Sequence, residues 1–349
     1  MVSSVNMPDE MDTSGNGIDL AKTVFQVAAV TDNKVVLNKQ YKRQTLKELM
    51  ANHTPCIIAM EACYSAHYWA RKFEHIGHEV KLIPAQHVKP FTRGNKIDAN
   101  DAVAIIEAPR RPNLRLVPVN STHQQDIQNL HRIRERLVCN RTALTNQTRG
   151  LLAEYGIVSA CGKKGFLLAV EQAMNDEQIS DLFKHELEHA LTELQFKSER
   201  IAQIEANLRA YVDQSEDCQI LHSIPGIGVI NASALVCKYG NASQFSNARG
   251  LAVNLGLTPK LSSSGLKHQM QGISKRGDPY LRKQLIHGAR TLLMFCDKRE
   301  NDALCQWASR MKKRRGQNIA FVAVAVANRL ARLAWVLLNK RKMYRPMGA

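Results

Sequence analysis

Four acidic residues have the types and spacing to do chemistry together. In Lys96-Ile97-Asp98-Ala99-Asn100-Asp101-Ala102 two aspartates stand three residues apart, and at the start of a helix that spacing turns both carboxylates to one face. Converging carboxylates suit a hard divalent cation, Mg²⁺ or Mn²⁺, which shares its shell among carboxylate, water and phosphate oxygens. Taken alone, either aspartate could equally cap a surface helix. Upstream, Asp19 lies within Gly17-Ile18-Asp19-Leu20, and Glu61 directly follows the apolar run Cys56 to Met60. Separately, Asp19 reads as a strand-edge residue facing solvent and Glu61 as a helix-terminal charge. A carboxylate inside an apolar strand needs a strong partner, however, and four acids gathered without a cation would repel one another. Asp19, Glu61, Asp98 and Asp101 are therefore candidate metal ligands.

A second group lies near the other end of the chain. Gly256-Leu257-Thr258-Pro259 is followed by Ser262-Ser263-Ser264-Gly265 and then by Gly272-Ile273-Ser274-Lys275-Arg276-Gly277-Asp278-Pro279. Asp278 is a good N-cap and Pro279 a good first helical residue, so Lys275 and Arg276 are expected on a loop before a helix carrying Arg282, Lys283 and Arg290. That is a cationic phosphate site. A serine beside Gly265 on a flexible loop has room to approach a backbone phosphate, although a Ser-Gly run is also an ordinary linker. Earlier, Ser223-Ile224-Pro225-Gly226-Ile227-Gly228 leads into the helical pattern Val229 to Tyr239. The turn at Gly226 and Gly228 would offer backbone N–H groups to a phosphate, as in a helix-hairpin-helix motif, or serve only as a loop.

The elements that must position these groups fall into four stretches: a tail at 1–16, a mixed α/β sheet domain at 17–120, a helical segment at 121–217 and a mostly helical domain at 218–349. Apolar residues from Gly17 to Val30 predict one strand, paired as a hairpin through Asp32-Asn33 with Lys34 to Lys39. Thr45 to Ala51 and Tyr64 to His75 read as helices, Cys56 to Met60 and Glu79 to Ile83 as strands. In the middle, Leu130, Leu137, Leu144 and Leu151 recur every seven residues, as do Leu187, Leu194, Ile201 and Leu208. These coiled-coil-like seams fit either a subunit-pairing arm or a hairpin packed on itself. Arg132, Arg134, Arg136, Arg141 and Arg149 on the first helix track phosphates or form a solvated face.

Composition narrows the partners. The 349 residues carry 48 Lys and Arg against 31 Asp and Glu, a formal charge of +17, so a polyanion is expected and nucleic acid leads. The eight cysteines are scattered, with no Cys-x-x-Cys pair and matching His-x-x-x-His, which excludes the usual zinc-finger spacings and argues for reduced thiols in a cytoplasm. The polar first 16 residues predict no signal peptide. Ile319 to Leu338 is apolar but interrupted by Asn328, Arg329 and Arg332, which predicts a packed helix and no membrane association.

The blocks Gly17-Ile18-Asp19, Met60-Glu61-Ala62 and Lys96 to Ala102 resemble the ribonuclease-H-type, RuvC-like DEDD domain of a large insertion-sequence transposase family that includes the Piv-type DNA invertases. Gly-Leu-x-Pro, Ser-Gly and Ile-Ser-Lys-Arg-Gly resemble the same family's C-terminal domain, so the resemblance covers most of the chain in order. It implies a metal-binding tetrad of Asp19, Glu61, Asp98 and Asp101 on a ribonuclease-H sheet. It further implies that Ser264 is a nucleophile forming a phosphoserine link to DNA, with Ser262 and Ser263 as alternatives, and that a non-coding bridge RNA pairs with element end and target. The function expected is DNA recombination by a homo-oligomer, a dimer or tetramer. A RuvC-type structure-selective nuclease using metal-activated water, or an architectural DNA-binding protein, is the alternative.

Overall fold

The structure, a computed structural model, describes residues 16–31, 34–88, 90, 98–110, 114, 116–264, 267–299, 301–315 and 318–346. The chain divides into two compact units, Met1–Thr122 and His123–Ala349.

The first unit is a five-stranded sheet covered on both faces. Strands β1 (Asn16–Leu20), β2 (Val24–Thr31) and β3 (Lys34–Lys42) are antiparallel, while β4 (Ile57–Glu61) and β5 (Glu79–Ile83) extend the other side of β1 in parallel. The order β3-β2-β1-β4-β5 fits the ribonuclease-H-like sheet that the resemblance implied. The expected single strand from Gly17 to Val30 is in fact two, separated at Ala21 to Thr23. Ala21-Lys22-Thr23 contains none of the Gly, Pro or Asn that usually mark a turn. Both flanking strands are apolar because β1 and β2 are covered on both sides, so alternation gave no break either. The Asp32-Asn33 turn lies outside the described residues.

Helices α1 (Arg43–Ala51), α2 (Ala66–His75), α3 (Ala85–Val88) and α4 (Asp98–Glu107) complete the unit. Ile18, Phe25, Val27, Ile58 and Met60 pack on one face against Leu46 and Met50 of α1 and Trp69 and Phe73 of α2. On the opposite face Ala28 and Val30 meet Ala102 and Ile106 of α4, and Ala59 and Ile83 meet Ala104 and Ile105. Successive strand residues thus feed different layers, as a period of two requires.

The second unit is nearly all helix. Its long helices α5 (Thr122–Ala153) and α7 (Asp181–Gln214) flank α6 (Gly162–Asn175). Ile127 and Leu137 pack with Ile201, Ile204 and Leu208, whereas Leu152 packs with Leu187 and Leu194, so α5 and α7 form an antiparallel hairpin packed on itself. Leu151, expected in the seam, is 45% exposed, and its neighbour Leu152 is fully buried. A straight helix lags a seven-residue repeat by roughly 20° per heptad. After three heptads Leu151 has turned about 60° off the seam, and Leu152 lies nearer its centre.

Helices α8 (Glu216–His222), α9 (Val229–Tyr239), α10 (Ala248–Asn254), α11 (Pro279–Phe295), α12 (Ala303–Arg315) and α13 (Ile319–Lys340) enclose the largest core, and a ribbon of β6 (Pro259–Ser264) and β7 (Lys267–Ile273) projects between α10 and α11 in sequence. By length and composition α13 alone among the described helices could cross a membrane, yet its stripe Val322, Val326, Leu330, Ala334 and Leu338 is buried in this core. Asn328 donates to the carbonyl of Leu257 (3.1 Å), and the Arg329 guanidinium lies 4.3 Å from the Trp307 ring centroid. Two of the three polar interruptions of α13 thus have partners within the unit, and the third, Arg332, is exposed.

Candidate active site

Sheet register brings two of the four acids, Asp19 and Glu61, side by side. On parallel β1 and β4, Gly17 pairs with Ala59 and Ile18 with Met60; one residue further, the same register sets Asp19 beside Glu61 on strands about 4.8 Å apart. A Cβ on Gly17 would meet the carbonyl oxygen of Ala102 at 2.4 Å and Cγ1 of Ile106 at 2.6 Å, so the Gly17 face is the one α4 covers. Asp19, two residues on, shares that face, and so does Glu61, two residues beyond Ala59. The thiol of Cys63 is pushed up to about 11, first by burial and then by the nearby carboxylates of Glu61 and Asp19. Asp98 opens α4 and Asp101 lies in its first turn, half-buried. Lys96, Ile97 and the Asp98 side chain are outside what the structure describes. Among the described residues no group of three or more His, Cys, Asp or Glu side chains stands close enough to hold a metal ion.

The serine segment is not the flexible loop expected from its composition. Ser262, Ser263 and Ser264 belong to β6 and pair in register with Gln269, His268 and Lys267 of β7; Gly265 lies outside the described residues. Pro259 pairs with Ile273 at the base of this ribbon and Ser264 with Lys267 at its far end. Five residues at about 3.3 Å each put the ends roughly 16 Å apart. Lys275 and Arg276 follow the base, fixed there by hydrogen bonds from Ser274 N to Thr258 O (2.8 Å) and from Lys275 N to Gly256 O (3.2 Å). Lys267 is thus the residue in register with Ser264, and Lys275 and Arg276 follow the opposite end of the ribbon.

Asp278 caps α11 as expected, accepting from the N–H groups of Tyr280 (2.9 Å) and Leu281 (3.1 Å), with Pro279 following. Arg282 donates to the carbonyls of Leu255 (3.2 Å) and Arg276 (3.0 Å), bracing the Lys275–Arg276 loop. At the Ser223 to Gly228 turn the two glycines differ. Gly226, at φ 87°, packs on α11: a Cβ there would meet Gly288 O at 2.8 Å, so the close approach explains it. Gly228 is the N-cap of α9 and faces open space. A cleft of about 430 Å³ adjoins the turn, lined among others by His222, Gly228, Gln284, His287 and Arg299.

Residues 218–306 match the family model "Transposase IS116/IS110/IS902 family", and residues 16–157 match the model DEDD_Tnp_IS110, described as "Transposase". The chain is 44% identical to a "Probable family 20 transposase" of Pseudomonas aeruginosa over 340 residues, covering 96% of this chain and all of the relative. It is 40% identical over 332 residues to the "Transposase for insertion sequence element IS1111A" of Coxiella burnetii, covering 94% of this chain and 90% of that one. The chain belongs to the IS110/IS116 transposase family. A transposase for IS1328 of Yersinia enterocolitica is 36% identical, with 94% of this chain and 97% of the relative aligned.

Within this transposase, the DEDD domain contains positioning residues that sequence reading missed. Gln26 Nε2 donates to Asn38 Oδ1 (2.5 Å), and Asn38 Nδ2 donates to the carbonyl of Ala99 in the first turn of α4 (3.1 Å). Gln26 is the register partner of Asp19, so this chain of amides ties the helix bearing Asp98 and Asp101 to the strands beside Asp19. The available signal was Gln26 itself, a polar residue inside the apolar run Val24 to Val30. The donor set of the acidic group is all carboxylate, which suits a hard divalent ion.

Proposed function

We propose that this transposase excises and integrates an insertion sequence by metal-dependent strand cleavage and exchange through a phosphoserine intermediate. The observation that carries the reading is the convergence of Asp19 and Glu61 on the face covered by α4, whose first turn contains Asp98 and Asp101. Those four carboxylates would hold Mg²⁺ or Mn²⁺, which supplies charge neutralisation and polarisation of the scissile phosphate when bound. Ser264 Oγ attacks phosphorus, its proton is released, and a DNA oxygen departs with the electrons of the broken P–O bond. Reversal by a hydroxyl of another strand restores the serine and joins the new ends, conserving bond energy. Lys267, the register partner of Ser264, would supply a cation for the developing phosphate charge. Lys275 and Arg276, at the ribbon base, and Gly228, at the start of α9, hold phosphates further along the DNA.

The charge of +17 supports nucleic-acid partners: element ends, target DNA and a bridge RNA that would carry target specificity. Eight free cysteines support a reducing, cytoplasmic setting, and the long hairpin helices offer a surface for homo-oligomer formation. The test uses labelled element-end DNA, incubated with protein and Mg²⁺ and then denatured. A protein–DNA adduct that persists in wild type and is lost in Ser264→Ala and in Asp98→Asn is the expected result. Adduct retained by Ser264→Ala but lost in Ser263→Ala or Ser262→Ala moves the nucleophile along β6. Free cut ends without adduct sink the serine mechanism and favour a RuvC-type nuclease, the reading to which the DEDD domain alone would lead.

A further inference from the structure

We propose that His185 and His189 form a binding site for one divalent transition-metal ion of the Cu²⁺, Ni²⁺ and Zn²⁺ class on the exposed face of α7. The local sequence is His185-Glu186-Leu187-Glu188-His189. A spacing of four places both imidazoles on one helix face, one turn apart, while Leu187 between them is buried in the hairpin core. The two Nε2 atoms are 3.1 Å apart, and the rings meet edge to face with centroids 4.5 Å apart. Two nitrogens at that separation, each about 2.05 Å from an ion, subtend roughly 100° at it, between octahedral and tetrahedral values. Without metal, one ring N–H donates to the lone pair of the other; a metal ion replaces that shared proton and accepts both lone pairs.

The surroundings suit this use. Glu188 Oε2 lies 3.7 Å from His185 Nδ1, the nitrogen left over after Nε2 coordinates, where a carboxylate orients an imidazole ligand. Both histidines are exposed, so an ion can enter and complete its shell with water. Imidazole nitrogens favour this metal class over Mg²⁺, which separates the site chemically from the carboxylates of the DEDD domain. The same five residues match the His-Glu-x-x-His pattern of zinc peptidases. A catalytic zinc takes three protein ligands, and among the described residues no third side chain completes such a cluster, so the geometry points to binding without hydrolysis.

The full chain, freed of metal by chelation, is titrated with Ni²⁺ by calorimetry in excess Mg²⁺, which occupies hard-ligand sites. One Ni²⁺ per chain is expected, with affinity reduced roughly tenfold or more in His185→Ala and in His189→Ala. Circular dichroism checks that both variants keep wild-type helix content, and Glu186→Gln should bind as wild type does. Unchanged stoichiometry and affinity in either histidine variant, or no Ni²⁺ bound by wild type, overturns the proposal. Because the readout involves no DNA, its failure leaves the cleavage mechanism untouched.

Discussion

Gly17 shows how one missing side chain can set the distance between a strand and the helix that covers it. Helix α4 lies so close to β1 that a Cβ at this position would sit 2.4 Å from a backbone oxygen, which cannot swing aside as a side chain would. Gly17→Ala must therefore push α4 away by roughly 1 Å to restore ordinary contact. Overpacking of this kind costs about 1–3 kcal/mol. A 1 Å displacement of groups near the reacting centre can cost about 100-fold in rate. The expected outcome is a modest fall in melting temperature with a disproportionate, roughly 100-fold loss of strand cleavage. Equal losses of activity and folded fraction would show that the glycine serves stability alone. Asp19, Glu61, Asp98 and Asp101 could be named as candidates from the sequence because carboxylates at apolar strands and a helix start are conspicuous and match the blocks of the family resemblance. Gly17 as a spacer and Asn38 as a tether were not, since each acts on a residue far away in the chain: Asn38 reaches Ala99 across 61 positions.

At the level of elements, short apolar strands and capped helices could be read directly: Glu79–Ile83, Val229–Tyr239 and the Asp278-Pro279 start of α11 match their sequence signals. The serine ribbon could not, because Ser and Gly lack β-propensity and the strand exists only through its pairing with β7. The α5–α7 hairpin falls between these cases. Its seven-residue repeat identified both helices but placed the end of the seam one residue early. Two substitutions separate the readings. Leu152→Ala should cost about 2–5 kcal/mol, as expected for a buried leucine among Phe166, Val170 and Leu187. Leu151→Ala, at a half-exposed position, should change stability by no more than about 0.5 kcal/mol. Chemical denaturation of both variants decides the register, and a larger loss at Leu151 would restore the strict heptad.

For the molecule as a whole, acidity sets a stability limit through one buried group. His131 of α5 is 5% exposed and joins three helices: Nε2 meets Ser233 Oγ of α9 at 3.0 Å, and Nδ1 meets Tyr280 Oη of α11 at 2.9 Å. Because Ser233 gives its own proton to the carbonyl of Val229 (2.7 Å), His131 must donate through Nε2 and accept from Tyr280 through Nδ1. That pattern requires the neutral ring. Burial, and then the nearby Arg134, lower its pKa to about 4, against 6.5 for the ordinary imidazole. The unfolded chain therefore takes up a proton between these values that the folded chain refuses. The stabilisation is complete above about pH 6.5 and is lost as pH falls toward 4, at up to about 1.4 kcal/mol per pH unit and about 3 kcal/mol in all. His131→Gln keeps a polar side chain but removes this titration. Its free energy of unfolding should lie below that of wild type at pH 7, with the gap narrowing by about 3 kcal/mol on acidification to pH 4. A gap independent of pH would mean that His131 takes up its proton as readily in the folded chain as in the unfolded one, and that the hydrogen bonds joining α5, α9 and α11 do not hold the ring neutral.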